Sequence, residues 1–206
     1  MHRTEMAETA WRIEPLWDEP ADGIGLGYLG RSEAQFAAAD CTKWGMEPLP
    51  SDHHPVQMIL YAGTWLDRHL VKGVMQNHTL VSAELRALLL EYDPEGVHFD
   101  PAELSLRQGE ILRDRYWMLK VPRLLDALIP EKSNVRAFKS RRTGKFLGWN
   151  YVGNEPPTLK KSVIDGSHVW RLPSLMPTDL YISDLLKTEM DRRALGPFKV
   201  EPVPLA

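Results

Sequence analysis

The sequence has few of the features that mark several large classes of protein. Cys41 is the one cysteine among 206 residues, which excludes an internal disulfide and a cysteine-rich metal site and favours a reducing compartment. No apolar run approaches the roughly 20 residues that cross a bilayer. Glu5 lies where a signal peptide would have its apolar stretch. We therefore expect a cytoplasmic protein that does not enter a membrane.

A complete nucleotide-binding motif is also lacking. Gly25–Gly30 matches the pattern G-x-G-x-x-G, but a dinucleotide site needs a strand running directly into the glycines and an acidic residue about 20 positions further on. Pro20 interrupts the segment before the motif, and Glu47 lies beside Pro48. We interpret the motif as a glycine-rich loop, with a nucleotide-dependent enzyme as the alternative.

Metal-binding and hydrolytic motifs are equally incomplete. His53 and His54 follow Asp52, but adjacent histidines in an extended segment point to opposite sides, and no third ligand lies at a helical offset. No serine lies in a G-x-S-x-G motif. We therefore predict no metal, no cofactor and no catalytic residue, and favour a binding protein over an enzyme. A metal-dependent enzyme using His53-His54 remains the alternative.

Charge is present but unevenly distributed. Residues 1–56 contain four Lys or Arg against ten Asp or Glu, whereas residues 131–161 contain eight against two. The basic residues from Arg136 to Lys145 surround Thr143-Gly144, a turn signal between two apolar segments, so they are predicted to lie on a β-hairpin. The net charge of −3 favours a solvated hairpin over a nucleic-acid-binding module, which we keep as a second alternative.

Two segments 101 residues apart follow one pattern. Ser82 and Ser183 each end a short apolar run and begin a helical pattern, and a proline follows each serine by 19 residues. A serine hydroxyl can accept hydrogen bonds from the free N–H groups of a first helical turn. The pattern predicts strand, Ser-capped helix and strand in both segments, with helices over 83–92 and 184–193. Gly196-Pro197 is the predicted stop of the second helix.

These units predict a strand-rich α+β fold. The proline-rich segment 47–55 is the best boundary, so we expect an acidic N-terminal segment over residues 1–55, packed on or linked to a main domain over residues 56–206. Residues 10–17 are interpreted as an edge strand. We predict a strand over 160–164 and a short helix over 123–128.

Six segments, two of which contain the serine-capped units, have the order and spacing of a known family. They are Leu80–Leu104, Tyr116–Val121, Leu125–Ser133, Val163–Asp165, His168–Arg171 and Tyr181–Val203. Over residues 55–203 the chain thus resembles the eleventh family of immunity proteins of bacterial polymorphic toxin systems.

The resemblance implies a protein that binds a cognate toxin, a nuclease among the candidates, and neutralises it in the producing cell by forming a stoichiometric complex. It implies no catalytic residues. A nuclease would carry a basic groove, so Asp18, Glu19 and Asp22, in the acidic segment, are the predicted toxin-binding residues. The sequence leaves the oligomeric state open.

Overall fold

The computed structural model describes residues 9–13, 26–28, 51, 54–60, 69–72, 79–106, 109–176, 179–196 and 199–206. The chain forms two compact units. The first unit comprises Met1–Glu14, Arg123–Glu189 and Val200–Ala206, and the second comprises Pro15–Pro122 and Met190–Lys199. The predicted boundary at residue 55 stays a prediction.

The second unit is built on a six-stranded sheet. Its strands are β2 (Leu26–Tyr28), β3 (Val56–Leu60), β4 (Leu70–Lys72), β5 (Thr79–Ser82), β6 (His98–Ser105) and β7 (Ile111–Lys120). They lie in the order β2-β3-β6-β7-β5-β4, and only the β3–β6 pair is parallel. Helix α1 (Ala83–Tyr92) follows β5 and buries Leu85, Leu88 and Leu89, the stripe that the i, i+3, i+4 spacing predicts. The core of the sheet contains Met58, Leu80 and Met118.

The first unit contains two sheets. Strands β1 (Ala10–Ile13), β10 (Val169–Trp170), β12 (Leu180–Ser183) and β13 (Val200–Val203) form a sheet in the order β10-β12-β1-β13. Strands β8 (Val135–Lys139), β9 (Phe146–Tyr151) and β11 (Leu175–Met176) form the other, in the order β11-β9-β8. Helix α2 (Lys161–Ile164) is one turn, and α3 (Asp184–Arg192), whose residues up to Glu189 belong to this unit, follows β12. Trp170, Tyr181 and Leu159 lie in the core.

The two predicted strand–helix–strand units are confirmed, and their serines are the N-caps. The Leu85 N–H donates to Ser82 Oγ at 3.3 Å, and the Leu186 N–H donates to Ser183 Oγ at 3.2 Å. Each hydroxyl also lies 2.8 Å from a histidine Nδ1, that of His69 or His168. In each cap, one serine Oγ therefore contacts both the first turn of a helix and the histidine that immediately precedes a neighbouring strand, β4 or β10.

The similarity extends to the order of strands around each cap. In the second unit β7 lies between β5 and β6, and in the first unit β1 lies between β12 and β13. Trp117 pairs with Val81 and Pro101, while Trp11 pairs with Ile182 and Pro202. The central strand comes directly after β6 in one unit and from the start of the chain in the other. The chain therefore contains a structural repeat, and the central strand of each copy comes from a different place in the sequence.

Three predicted elements differ from the structure. Residues 10–13 form a central strand, because β1 has a partner on both sides. Residues 161–164 form helix α2, in which the Val163 N–H donates to Lys160 O at 3.1 Å and the Ile164 side chain is part of the core. Residues 123–128 are extended because the Leu125 N–H donates to Arg171 O at 3.0 Å and Leu128 bridges to Leu159. Both bonds replace those that a helix would make within its own segment.

No helix in the described part of the chain is long and apolar enough to cross a membrane.

Candidate functional site

The β8–β9 hairpin exposes apolar and basic side chains together. Strand β8 pairs with β9 in antiparallel register from Val135–Tyr151 to Lys139–Phe146. In the turn, the Ser140 N–H donates to Lys145 O at 2.8 Å, as the Gly144 N–H does to Ser140 O. Gly144 has φ +68°, a conformation that glycine adopts without strain. The predicted hairpin is confirmed.

The hairpin presents three large apolar side chains to solvent. Phe138, Phe146 and Leu147 are 39%, 46% and 52% exposed. The exposed basic side chains of the same hairpin are Arg136, Lys139, Arg141, Arg142 and Lys145, and no acidic residue occurs between Lys132 and Asn154. We call this set of eight side chains the hairpin surface. Its mixture of aromatic and arginine side chains is typical of protein interfaces.

The base of the hairpin is fixed by a buried polar network in the same unit. The Tyr151 hydroxyl donates to Asp179 Oδ2 at 2.8 Å and lies 2.8 Å from the Tyr181 hydroxyl. Arg12 Nη1 lies 3.7 Å from the same Asp179 carboxylate, and Arg12 Nη2 donates to Asn154 O at 2.7 Å. The network joins the last residue of β9 to the central strand β1.

Burial controls the ionisation of this network. Desolvation raises the pKa of the Tyr151 phenol, and the Asp179 charge raises it further. Burial and the neighbouring Tyr151 also raise the pKa of Tyr181. Burial lowers the pKa of Arg171 to about 10, while the Asp179 charge opposes the shift. Both phenols therefore stay protonated at neutral pH and can donate hydrogen bonds.

A concave feature lies on the sheet of the second unit. It is a cleft of about 320 Å³ whose lining includes His54, Glu103, Asp114 and Trp117. The cleft forms where β7 bulges, because Ala102 pairs with Tyr116 but Leu104 pairs with Leu112. Asp114 lies in this bulge with φ +55°, a strained conformation for a residue with a side chain.

His54 from the predicted histidine pair lies at the edge of this cleft, and His53 lies outside the described residues. His54 Nε2 is 3.3 Å from Asp100 Oδ1, and His98 Nε2 is at the same distance from that oxygen. Asp100 is fully buried. Within the described residues, no group of three or more His, Cys, Asp or Glu side chains is arranged to hold a metal ion. The arrangement is that of a buried carboxylate between two histidines.

The glycine motif does not form the loop that we expected. Leu26–Tyr28, within Gly25–Gly30, is strand β2, and it pairs with β3 in antiparallel orientation. A dinucleotide-binding turn joins a strand of a parallel sheet to a helix, so this strand pairing argues against the nucleotide-dependent alternative. Gly25 and Gly30 themselves lie outside the described residues.

The structure describes some of the residues singled out in the sequence and not others. Asp18, Glu19 and Asp22 lie outside the described residues and stay a prediction. The basic residues from Arg136 to Lys145 are placed on one exposed hairpin, as predicted. The network of Arg12, Tyr151 and Asp179 was missed, because its members are more than 25 residues apart and no local pattern connects them. Arg12 within an apolar segment was the one available signal.

Comparison with known proteins identifies the family. No curated protein matches the chain. The model of the Immunity protein family (Imm11) matches residues 45–204, a range that includes both capped units and the hairpin surface. This match covers most of the chain and confirms the resemblance predicted from the sequence. The chain therefore belongs to the Imm11 immunity protein family.

Proposed function

We propose that this protein binds a cognate bacterial toxin and neutralises it by stoichiometric complex formation in the cytoplasm of the cell that makes the toxin. The family match over residues 45–204 carries the proposal. The exposed aromatic and basic side chains of the hairpin surface support it, because a protein that acts by binding needs an accessible surface with apolar anchors.

Co-expression with the toxin encoded by the neighbouring gene tests this function. Cells that make the toxin should grow only when this chain is co-expressed, and the two proteins should copurify at a fixed ratio. Protection without a detectable complex would contradict stoichiometric inhibition and favour enzymatic reversal of the damage. Growth arrest despite expression of the folded chain would contradict the immunity function itself.

The acidic segment offers one docking surface, for a toxin with a basic groove such as a nuclease. Changing Asp18, Glu19 and Asp22 together to Asn, Gln and Asn should then slow association at low salt, because steering between opposite charges is lost. Stopped-flow association rates at low and high salt provide the measurement. An unchanged rate at low salt would remove this segment from the interface.

A further inference from the structure

The hairpin surface has properties that its own unit does not explain. Phe138 and Phe146 are exposed although they lie within the strands of a sheet. Single exposed apolar residues are common on protein surfaces. Three of them lie within ten residues of one hairpin, together with five cations and no acidic residue. Phe138 pairs with Gly148 and Phe146 pairs with Lys139, so the two rings lie on opposite faces of the hairpin, and each face combines exposed apolar and basic side chains.

The hairpin surface is also held in a defined shape. Phe146 and Trp149 form an edge-to-face pair with ring centroids 5.4 Å apart, and Trp149 packs against the core of the first unit. The Trp149 N–H donates to Ser174 O at 2.6 Å. The network around Tyr151 fixes the end of the same strand. A partner would therefore meet a rigid surface and would lose little free energy in ordering it.

We propose that the hairpin surface is the docking site for the toxin, and that the toxin presents an acidic face with an apolar centre. This inference rests on the proposed function. Charge complementarity determines the chemistry of the partner, since five exposed cations repel a basic surface and attract carboxylates. Arginine pairs with a carboxylate through two parallel hydrogen bonds. Phe146 supplies an apolar anchor on one face of the hairpin and Phe138 supplies one on the other, with Leu147 in the bulge beside Phe146.

The overall charge of the chain helps to orient such an encounter. The net charge is −3, so an acidic partner is repelled by much of the surface and attracted by the hairpin. Association should therefore be fast at low salt and should slow as salt increases. A toxin that docked on the acidic segment would need a basic face instead of an acidic one. Experiment can therefore distinguish docking on the acidic segment from docking on the hairpin surface.

The test measures binding of the toxin domain encoded by the neighbouring gene to the full chain and to matched pairs of charge reversals. Arg141→Glu with Arg142→Glu should raise the Kd at least about tenfold, mainly through a slower association rate. Lys160→Glu with Lys161→Glu is the control, because it reverses two adjacent charges outside the hairpin, and it should change the Kd less than about twofold. Phe146→Ser should raise the Kd about tenfold or more through faster dissociation.

Circular dichroism of each variant should match that of the wild type, because Arg141, Arg142, Phe146 and Lys160 are exposed and Lys161 is only half-buried. Phe146→Ser should lower the Tm slightly, because it removes the contact with Trp149. Wild-type affinity in both hairpin variants would overturn the docking site while leaving toxin binding intact. The wild type is also tested with a 30-nucleotide single-stranded RNA. If it binds this RNA tightly, and the Arg141 and Arg142 variant loses RNA binding but keeps its toxin affinity, the proposed toxin docking site is overturned in favour of nucleic-acid binding. A wild-type chain that does not bind the toxin would remove the proposed function and this inference together.

Discussion

The ammonium nitrogen of Lys187 lies 5.2 Å from the centre of the Trp11 ring. In the other unit the guanidinium of Arg86 lies 5.0 Å from the centre of the Trp117 ring. Both cations lie on the helix that follows a serine cap, four residues after the serine, and both tryptophans lie on the central strand of a sheet. The structural repeat therefore includes a cation–π contact in addition to the strand order.

Arg86→Met should lower the free energy of unfolding by about 0.5–2 kcal/mol, since it removes the cation but retains much of the apolar stem. Arg86 also lies over Phe99, at 5.4 Å, so the cost should exceed that of Lys187→Met. Urea unfolding of Arg86→Met, Trp117→Leu and the double variant measures the coupling. Additive effects would show that the contact contributes nothing, and Arg86→Lys should recover part of the stability.

Ala194→Gly should stabilise the protein by about 1 kcal/mol. Helix α3 ends in a Schellman motif, in which the Leu195 N–H donates to Met190 O at 2.9 Å and the Ala194 N–H donates to Asp191 O at 3.0 Å. Ala194 has φ +53°, which is unfavourable for a residue with a Cβ. The predicted stop at Gly196-Pro197 lies two residues further on.

Ala87→Gly is the control for this substitution, because it lies at an exposed position inside helix α1. It should destabilise the protein by roughly 0.5–1 kcal/mol. Thermal unfolding of both variants should therefore shift in opposite directions. A loss of stability in Ala194→Gly would contradict the strained cap.

Leu89→Ala should cost roughly 2–5 kcal/mol of unfolding free energy, because the side chain is only 3% exposed and its removal leaves a cavity. Leu185→Ala makes the same chemical change on helix α3 at a side chain that is 50% exposed. It should cost less than about 0.5 kcal/mol. Urea unfolding provides the comparison, and equal costs would mean that the α1 stripe is not core.

Stability should fall as the pH rises above about 10, because the folded state raises the pKa values of Tyr151 and Tyr181. In this range the unfolded chain releases phenol protons that the folded chain keeps. This ionisation stabilises the unfolded state relative to the folded state. The lowered pKa of Arg171 acts in the opposite direction, because the unfolded chain then keeps the extra proton.

Tyr151→Phe separates the contribution of the Tyr151 phenol to this pH dependence from that of Tyr181. At neutral pH it should cost about 1–3 kcal/mol, because it leaves Asp179 without one of its hydrogen-bond donors. Between pH 9 and 11 the loss of stability with pH should be shallower in the variant than in the wild type. Chemical unfolding across this range gives both slopes, and identical slopes would show that Tyr151 ionises equally in the folded and unfolded chains.

The predictions from sequence held where the determinants lie close together in the chain. Ser82 caps a helix that begins at the next residue, and the leucine stripe lies within two turns of it. Thr143-Gly144 lies between the two strands that it joins. In such segments the backbone preferences and the apolar spacing act over a few residues, so the helix bounds of 83–92 and the hairpin could both be predicted.

The repeat was recognised over 25 positions, but the sequence did not reveal its full extent. His69 and His168 precede their serines by 13 and 15 residues, and this unequal spacing concealed their shared role. Trp11 and Trp117 occupy matching places in the two sheets although one lies near the beginning of the chain and the other follows β6. A search for an ungapped repeat cannot detect a copy whose central strand comes from elsewhere in the sequence.

The sequence by itself determined the two capped helices, the β8–β9 hairpin, the strand-rich α+β class and the family, because each depends on short patterns and their order. Tertiary structure alone decided that Ala10–Ile13 is a central strand, that Lys161–Ile164 is helical, and that Arg12 meets Asp179. Arg12 and Asp179 are 167 residues apart in the sequence. Strand pairing and burial of polar groups depend on which distant segments meet, and this is set by the free energy of the whole packed unit, not by the preferences of any one segment.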